Sequence, residues 1–157
     1  MPKTTPCLWF DTQGEDAANF YVSVFPNSRI VNVMHYGEAG PRPAGTTMLV
    51  EFELDGQPYQ ALNGGPEFTF DEAISFEIGC ADQDEVDYYW DKLGEGGEHG
   101  PCGWLKDSYG VSWQVVPAAL MTLAADPDAA KAQAVIKAML GMNKIVVSEL
   151  QAAYDSA

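Results

Sequence analysis

Short runs of alternating hydrophobic and polar residues, each bounded by glycine or proline, dominate the first three quarters of the chain. Alternation with period two is the signature of a strand with one buried face. Thr5 to Phe10 fits a first strand. Thr12 and Glu15 then have capping-box spacing, and Ala17, Phe20, Tyr21 and Val24 recur at helical spacing until Pro26, so a helix is predicted there with Thr12 as its cap. Arg29 to Tyr36 alternates again, Gly37 to Gly45 reads as a loop, and Thr46 to Leu54 and Gln57 to Leu62 read as strands joined at Asp55-Gly56, a strong hairpin signal. Pro58 points to a sheet edge or a strand end, because proline cannot donate to a ladder.

The succession then restarts after Asn63-Gly64-Gly65-Pro66, a segment that reads as a turn because it lacks any phosphate-loop pattern. Ile74 to Cys80 reads as a strand, and Asp82 to Leu93 as a helix with Val86, Tyr89, Trp90 and Leu93 on one face and Gly94 at its end. A glycine-rich stretch to Gly103 leaves room only for an irregular strand. Gly103 to Asp107 and Val111 to Val116 are predicted strands. Beyond Pro117 the pattern becomes helical, with Asp126-Pro127 as cap and first helical residue, an alanine-rich helix ending at Gly141, and a second helix from Lys144 to Tyr154.

Two correspondences tie the halves together. One constant offset carries Phe20-Tyr21 onto Tyr88-Tyr89, Cys7 onto Ser75 and Trp9 onto Glu77; another carries Gly56-Gln57-Pro58-Tyr59-Gln60 onto Gly110-Val111-Ser112-Trp113-Gln114. Both occur in the same order, which points to a duplicated βαβββ unit. The stretch from Tyr59 to Glu77 is the junction. The expected architecture is α+β, one domain over residues 1–157, with modules at 3–65 and 72–118 and a helical tail at 119–157.

Charge and cysteines narrow the partners. The chain has 157 residues, 8 basic and 23 acidic, for a net charge of −15. That field repels phosphate backbones and anionic lipid, so neither nucleic acid nor membrane is an expected partner. Cys7, Cys80 and Cys102 are widely spaced and odd in number, which argues for free thiols, and a cytoplasmic location is expected.

The segments ALNGGPEFTFDEAISFEI, GPCGWLKDSYGVSWQVVP and AMLGMNKI resemble the PhnB-like branch of the vicinal oxygen chelate (glyoxalase/bleomycin resistance/dioxygenase) superfamily. Members of this branch often carry the label 3-demethylubiquinone-9 3-methyltransferase. The resemblance implies paired βαβββ modules whose curved sheet half-encloses a cavity, and it implies homodimers. It also implies that metal-dependent relatives take ligands, usually His and Glu, from the first and last strands of each module. By alternation and the repeat, those places here are Cys7, Gln60, Ser75 and Gln114. A thiol, a hydroxyl and two neutral amides are a poor set for a divalent ion, so no cofactor is expected. A metal built from Glu77, Cys7 and a histidine stays open as the alternative; His35 and His99 read as surface residues.

The same parity places Cys7, Trp9, Gln60, Ser75, Glu77 and Gln114, with Cys80 as a further candidate, along the cavity, while Tyr59, Trp113 and Val115 face the helices. Aromatic walls with a few polar groups suit a small molecule, and two glutamines can orient an amide, carbonyl or phenol. Trp104 and Lys106 share a face, and Lys106 offers a cation to an anionic ligand. Glu77 is the one candidate acid or base; its alternative role is an ordinary ion pair or solvation. Cys102 with His99 is a weaker nucleophile pair. The first functional reading is therefore a metal-free small-molecule-binding protein. The second is a lyase, isomerase or dioxygenase using Glu77 or a metal. Methyl transfer is disfavoured, because no glycine-rich loop between a first strand and helix is present to hold S-adenosylmethionine.

Overall fold

The computed structural model describes residues 2–157, which fall into two compact units divided between Phe70 and Asp71. The first unit runs β1 (Cys7–Phe10), α1 (Gly14–Val24), β2 (Arg29–His35), β3 (Thr47–Leu54) and β4 (Gln57–Asn63). Its sheet has the order β1-β4-β3-β2, with β1 parallel to β4 and the other pairs antiparallel. Leu8, Phe10, Val50, Phe52, Leu54 and Ala61 form one buried face, and Ala17, Ala18, Tyr21 and Val24 of α1 are buried with them. The opposite face carries Cys7, Trp9, Gln60 and Leu62, in register as Cys7 with Gln60 and Trp9 with Leu62. Asp55 and Gly56 join β3 to β4 with φ of 48° and 80°, the left-handed pair a two-residue hairpin requires.

The second unit repeats the order: β5 (Phe76–Cys80), α2 (Gln83–Gly94), β6 (Glu98–His99), β7 (Trp104–Lys106) and β8 (Ser112–Pro117), arranged β5-β8-β7-β6, again with one parallel pair, β5 and β8. Ile78, Cys80, Leu105, Trp113 and Val115 are buried on one side, as are Val86, Tyr89, Trp90 and Leu93 of α2. The duplicated βαβββ unit and the tail helices are thus both present.

Three details differ from the sequence reading. Thr12 does not cap α1: Gln13 is the N-cap residue and its side chain makes no capping bond. Instead Asn63, at the far end of β4, accepts from Gly14 N–H at 2.7 Å and donates to the Thr12 and Thr47 carbonyls. Pro58, by contrast, lies near a strand end as the sequence suggests: it is the second residue of β4, and β1 pairs with that strand only from Gln60 onward. In the tail a short helix α3 (Ala118–Ala124) precedes α4 (Ala129–Leu140) and α5 (Val147–Asp155). The cap of α4 is Asp128, which accepts from Ala130 and Lys131 N–H, and not Asp126.

The tail has its own core of Val116, Leu120, Val135, Met142, Ile145 and Leu150. It is fastened to the second unit by main-chain bonds from Cys102 and Gly103 to Met142 and Asn143, by Gln83, which bonds both Ile145 O and Val147 N–H, and by an ion pair of Lys144 with Asp87 at 3.0 Å.

Candidate functional site

In the first unit the parallel register sets Cys7 beside Gln60, and the antiparallel register sets Glu51 on the other side of Gln60. Directly opposed residues on neighbouring strands share a face, so a thiol, an amide and a carboxylate form one row. Glu51 was not singled out from the sequence; its alternation with Val50 and Phe52 was the available signal. Cys7 is exposed on this face, and partial burial of its thiol raises its pKa, which favours the neutral form.

Trp9 lies in the next row with its ring over Gly64, where a β-carbon would enter the indole. Its Nε1 donates to Gly65 O at 2.9 Å, and its ring meets Phe68 edge-on at 5.0 Å. The Asn63–Pro66 turn is therefore held by Trp9 and by Gly64 N–H bonding to Phe10 O. The indole donor of Trp9 is thereby already engaged.

In the second unit the corresponding row is Glu77, Gln114 and Trp104. The sequence offset matched Cys7 with Ser75, but strand pairing makes Glu77 the counterpart of Cys7. Ser75 lies just before β5 and receives a hydrogen bond from Gln114 Nε2 at 2.9 Å. The two thus meet, and Glu77 stands exposed beside them. Cys80 falls on the opposite, buried face, because its parity is that of Phe76 and Ile78. Its thiol is 1% exposed and pushed up to about 11, first by burial and then by the Glu85 carboxylate. It is therefore core.

The next row on the same face is Glu98, Lys106 and Ser112. These residues, with Trp104, Pro101 and Glu72, line a cleft of about 200 Å³. Lys106 forms an ion pair with Glu72, whose carboxylate raises the lysine pKa and is itself held below its ordinary range. Ser112 is 1% exposed and its hydroxyl has no partner. Ser112, Glu72 and Glu98 were missed by sequence reasoning; a serine opposite a lysine across a predicted hairpin was the only signal.

Of the remaining candidates His99 borders this cleft, and the other two lie elsewhere. His99 stacks on Trp90 with centroids 4.4 Å apart, and its Nε2 is 3.0 Å from the Trp90 carbonyl. His35 is exposed at the end of β2. Cys102 occupies a left-handed turn with φ of 58° and is tied through its main chain to Met142.

Comparison with known proteins places this architecture. The profile of the family described as 3-demethylubiquinone-9 3-methyltransferase matches residues 2–116. The chain belongs to this PhnB-like family of the vicinal oxygen chelate superfamily. A solved structure of a PhnB protein from Bacillus cereus, described as a putative 3-demethylubiquinone-9 3-methyltransferase, is 36% identical, covers 74% of this chain and 100% of its own, and superposes with a TM-score of 0.67. The fosfomycin resistance protein FosX of Mesorhizobium loti is 13% identical over 73% of this chain and 91% of its own, with a TM-score of 0.52. A FosX mutant from Listeria monocytogenes, complexed with Mn(II) and 1S,2S-dihydroxypropylphosphonic acid, is 16% identical over 73% of this chain and 92% of its own, with a TM-score of 0.50. At such identities the FosX proteins share the fold alone. No curated protein sequence matches the chain.

The described residues contain no group of three or more His, Cys, Asp or Glu side chains placed to hold an ion. The first row offers one carboxylate, one amide and a thiol biased to its protonated form; the second offers one exposed carboxylate, a neutral amide and an indole. Among the described residues no helix is long and apolar enough to cross a membrane.

Proposed function

We propose that this protein is a small-molecule-binding member of the vicinal oxygen chelate superfamily that works without a resident metal. The observation that carries the reading is the face of the second sheet. There Gln114 and Ser75 form a neutral hydrogen-bonded pair, with Glu77 and Trp104 on either side and the cleft at Lys106 and Ser112 in the next row. An aromatic surface with a few convergent polar groups is the usual composition of a small-molecule site. The Gln114 carboxamide has a carbonyl to accept from an amide or phenol. In the first unit, Gln60 flanked by Cys7 and Glu51 supplies a second polar row.

The FosX complex supports the idea that this fold accommodates a small molecule, although one fold hosts many chemistries. Methyl transfer is not our reading despite the family description. Each sheet contains a single parallel pair, whereas a doubly wound parallel sheet with a glycine-rich first turn is the usual nucleotide cradle. Glu77, the candidate base, is solvent-exposed and serves in this account as a polar wall of the ligand site. We place the protein in solution in the cytoplasm as a homodimer, with a small molecule as partner and no nucleic acid or membrane.

The test is metal content. Protein purified without chelator is expected to carry transition metal far below one ion per chain by mass spectrometry. A stoichiometric ion that disappears in Glu77→Ala or Cys7→Ala would overturn the metal-free reading.

A further inference from the structure

The cleft of the second unit contains a buried hydroxyl without a partner and a carboxylate without a hydrogen bond. The Ser112 hydroxyl is buried and unbonded, and native proteins seldom leave such a group unsatisfied unless something else occupies its partner position. Glu98, in the same row, makes no hydrogen bond or close ion pair among the described residues, although its charge acts on Lys106 from a distance. Lys106 stands between them in the strand register, with Glu98 opposite it on one side and Ser112 on the other. Its ammonium is drawn aside by Glu72. The groups left for a ligand are therefore a carboxylate, a hydroxyl and the half-buried ring of Trp104.

Charge decides which ligand complements them. The cleft has two carboxylates, Glu72 and Glu98, against one lysine and the His99 imidazole, which stacks on Trp90, within a chain of net charge −15. An anion entering it meets a repulsive field and finds its lysine already paired. An ammonium finds a carboxylate that makes no hydrogen bond, and an aromatic face, both attractive to a cation. Glu98 and Ser112 sit two strand spacings apart, roughly 10 Å between main chains, so one ammonium does not satisfy both. The second hydrogen-bonding group of a bifunctional ligand does. The cleft volume of about 200 Å³ limits that ligand to a small one.

We infer that this cleft binds a small protonated amino alcohol, its ammonium on Glu98 beside Trp104 and its hydroxyl on Ser112 Oγ. The inference rests on the small-molecule reading above and names the ligand class for one part of the same face. Its test is a calorimetric titration of the full chain at pH 7 and fixed ionic strength with 3-aminopropanol, 1,3-propanediol and 3-hydroxypropionate. Saturable binding is expected for the amine alone, weakened about tenfold or more in Ser112→Ala and in Glu98→Gln, each of which removes one charge-assisted or buried hydrogen bond. Ser112→Ala is also expected to melt no lower than the parent, because it removes an unsatisfied group. Preferred binding of the anion, an affinity unchanged from the parent in either variant, or no saturable binding of the amine overturns the inference. A parallel titration with benzamide and phenol separates the two levels: if these bind in a Gln114-dependent way while the amine does not, only the amino alcohol assignment falls; if nothing binds, both fall.

Discussion

Asp107 shows how one buried side chain organises the second unit's floor. It is 3% exposed; Oδ1 accepts from Tyr109 and Val111 N–H, and Oδ2 from Trp113 Nε1 at 2.8 Å. It closes the β7–β8 turn and fixes the indole behind Gln114 and Ser112. Asp107→Ala leaves the Trp113 donor buried without this partner, so a loss of roughly 2–3 kcal/mol is expected in denaturant titration. Alternation predicted Trp113 as core and Gln114 as the opposite face, because both follow from period two alone. Asp107 was legible only as the end of a strand. The hydrogen bonds that make it necessary come from a turn geometry and from an indole whose placement depends on packing. The pairing of Ser75 with Gln114 was equally out of reach: the repeat located both residues, but a bond between a strand end and another strand is a property of register. Cys80, three residues from Glu77, has the opposite parity and lies in the core, not along the cavity.

Among the elements, α1 is the one whose start was misread. Thr12 and Glu15 have the spacing of a capping box, but Glu15 Oε2 is 3.4 Å from Thr47 Oγ1 and the cap is supplied by Asn63 from across the sheet. Local spacing cannot reveal an acceptor 49 residues away. The two accounts separate by mutation. Asn63→Ala is expected to cost about 2 kcal/mol, the loss of a buried cap and two further hydrogen bonds. Thr12→Ala, at an exposed position, is expected to stay within about 0.5 kcal/mol of the parent. Thermal or denaturant unfolding of the pair decides. By contrast the strands themselves, the Asp55-Gly56 hairpin and α2 were readable, because period two, left-handed turn residues and helical spacing are local signals; Asp82, read as the first residue of that helix, is its cap and accepts from Glu85 N–H. The short helix α3 was not readable, since its N-cap position is Pro117, which offers no side-chain cap.

For the whole molecule, the repeat was visible as two offsets in sequence and appears as two sheets with the same strand order and one parallel pair each. The family match ends at residue 116, so the tail of α3 to α5 lies beyond it, and its attachment to the second unit depends on this chain's own contacts. One of them is sensitive to acid. Asp87 has its pKa lowered, first by the hydrogen bond from Gln83 and then by Lys144. A carboxyl whose folded pKa is depressed contributes stability in full above its unfolded value of about 3.9, and loses it as pH falls through the lower folded value. The tail contact is therefore expected to hold at pH 7 and weaken in that acid window. The difference in stability between the parent and Asp87→Asn should shrink from pH 7 to pH 3 by denaturant titration; a difference independent of pH would show that the ion pair does not fasten the tail.

Ligand binding by metal-stripped protein tests the central claim most directly. Calorimetric titration of chelator-treated full-length chain with small aromatic amides and phenols is predicted to show saturable binding that added divalent metal does not strengthen and that Gln114→Ala weakens about tenfold. Binding that appears only after metal is restored, or that is unchanged in Gln114→Ala, would contradict a metal-free site on the Gln114 face.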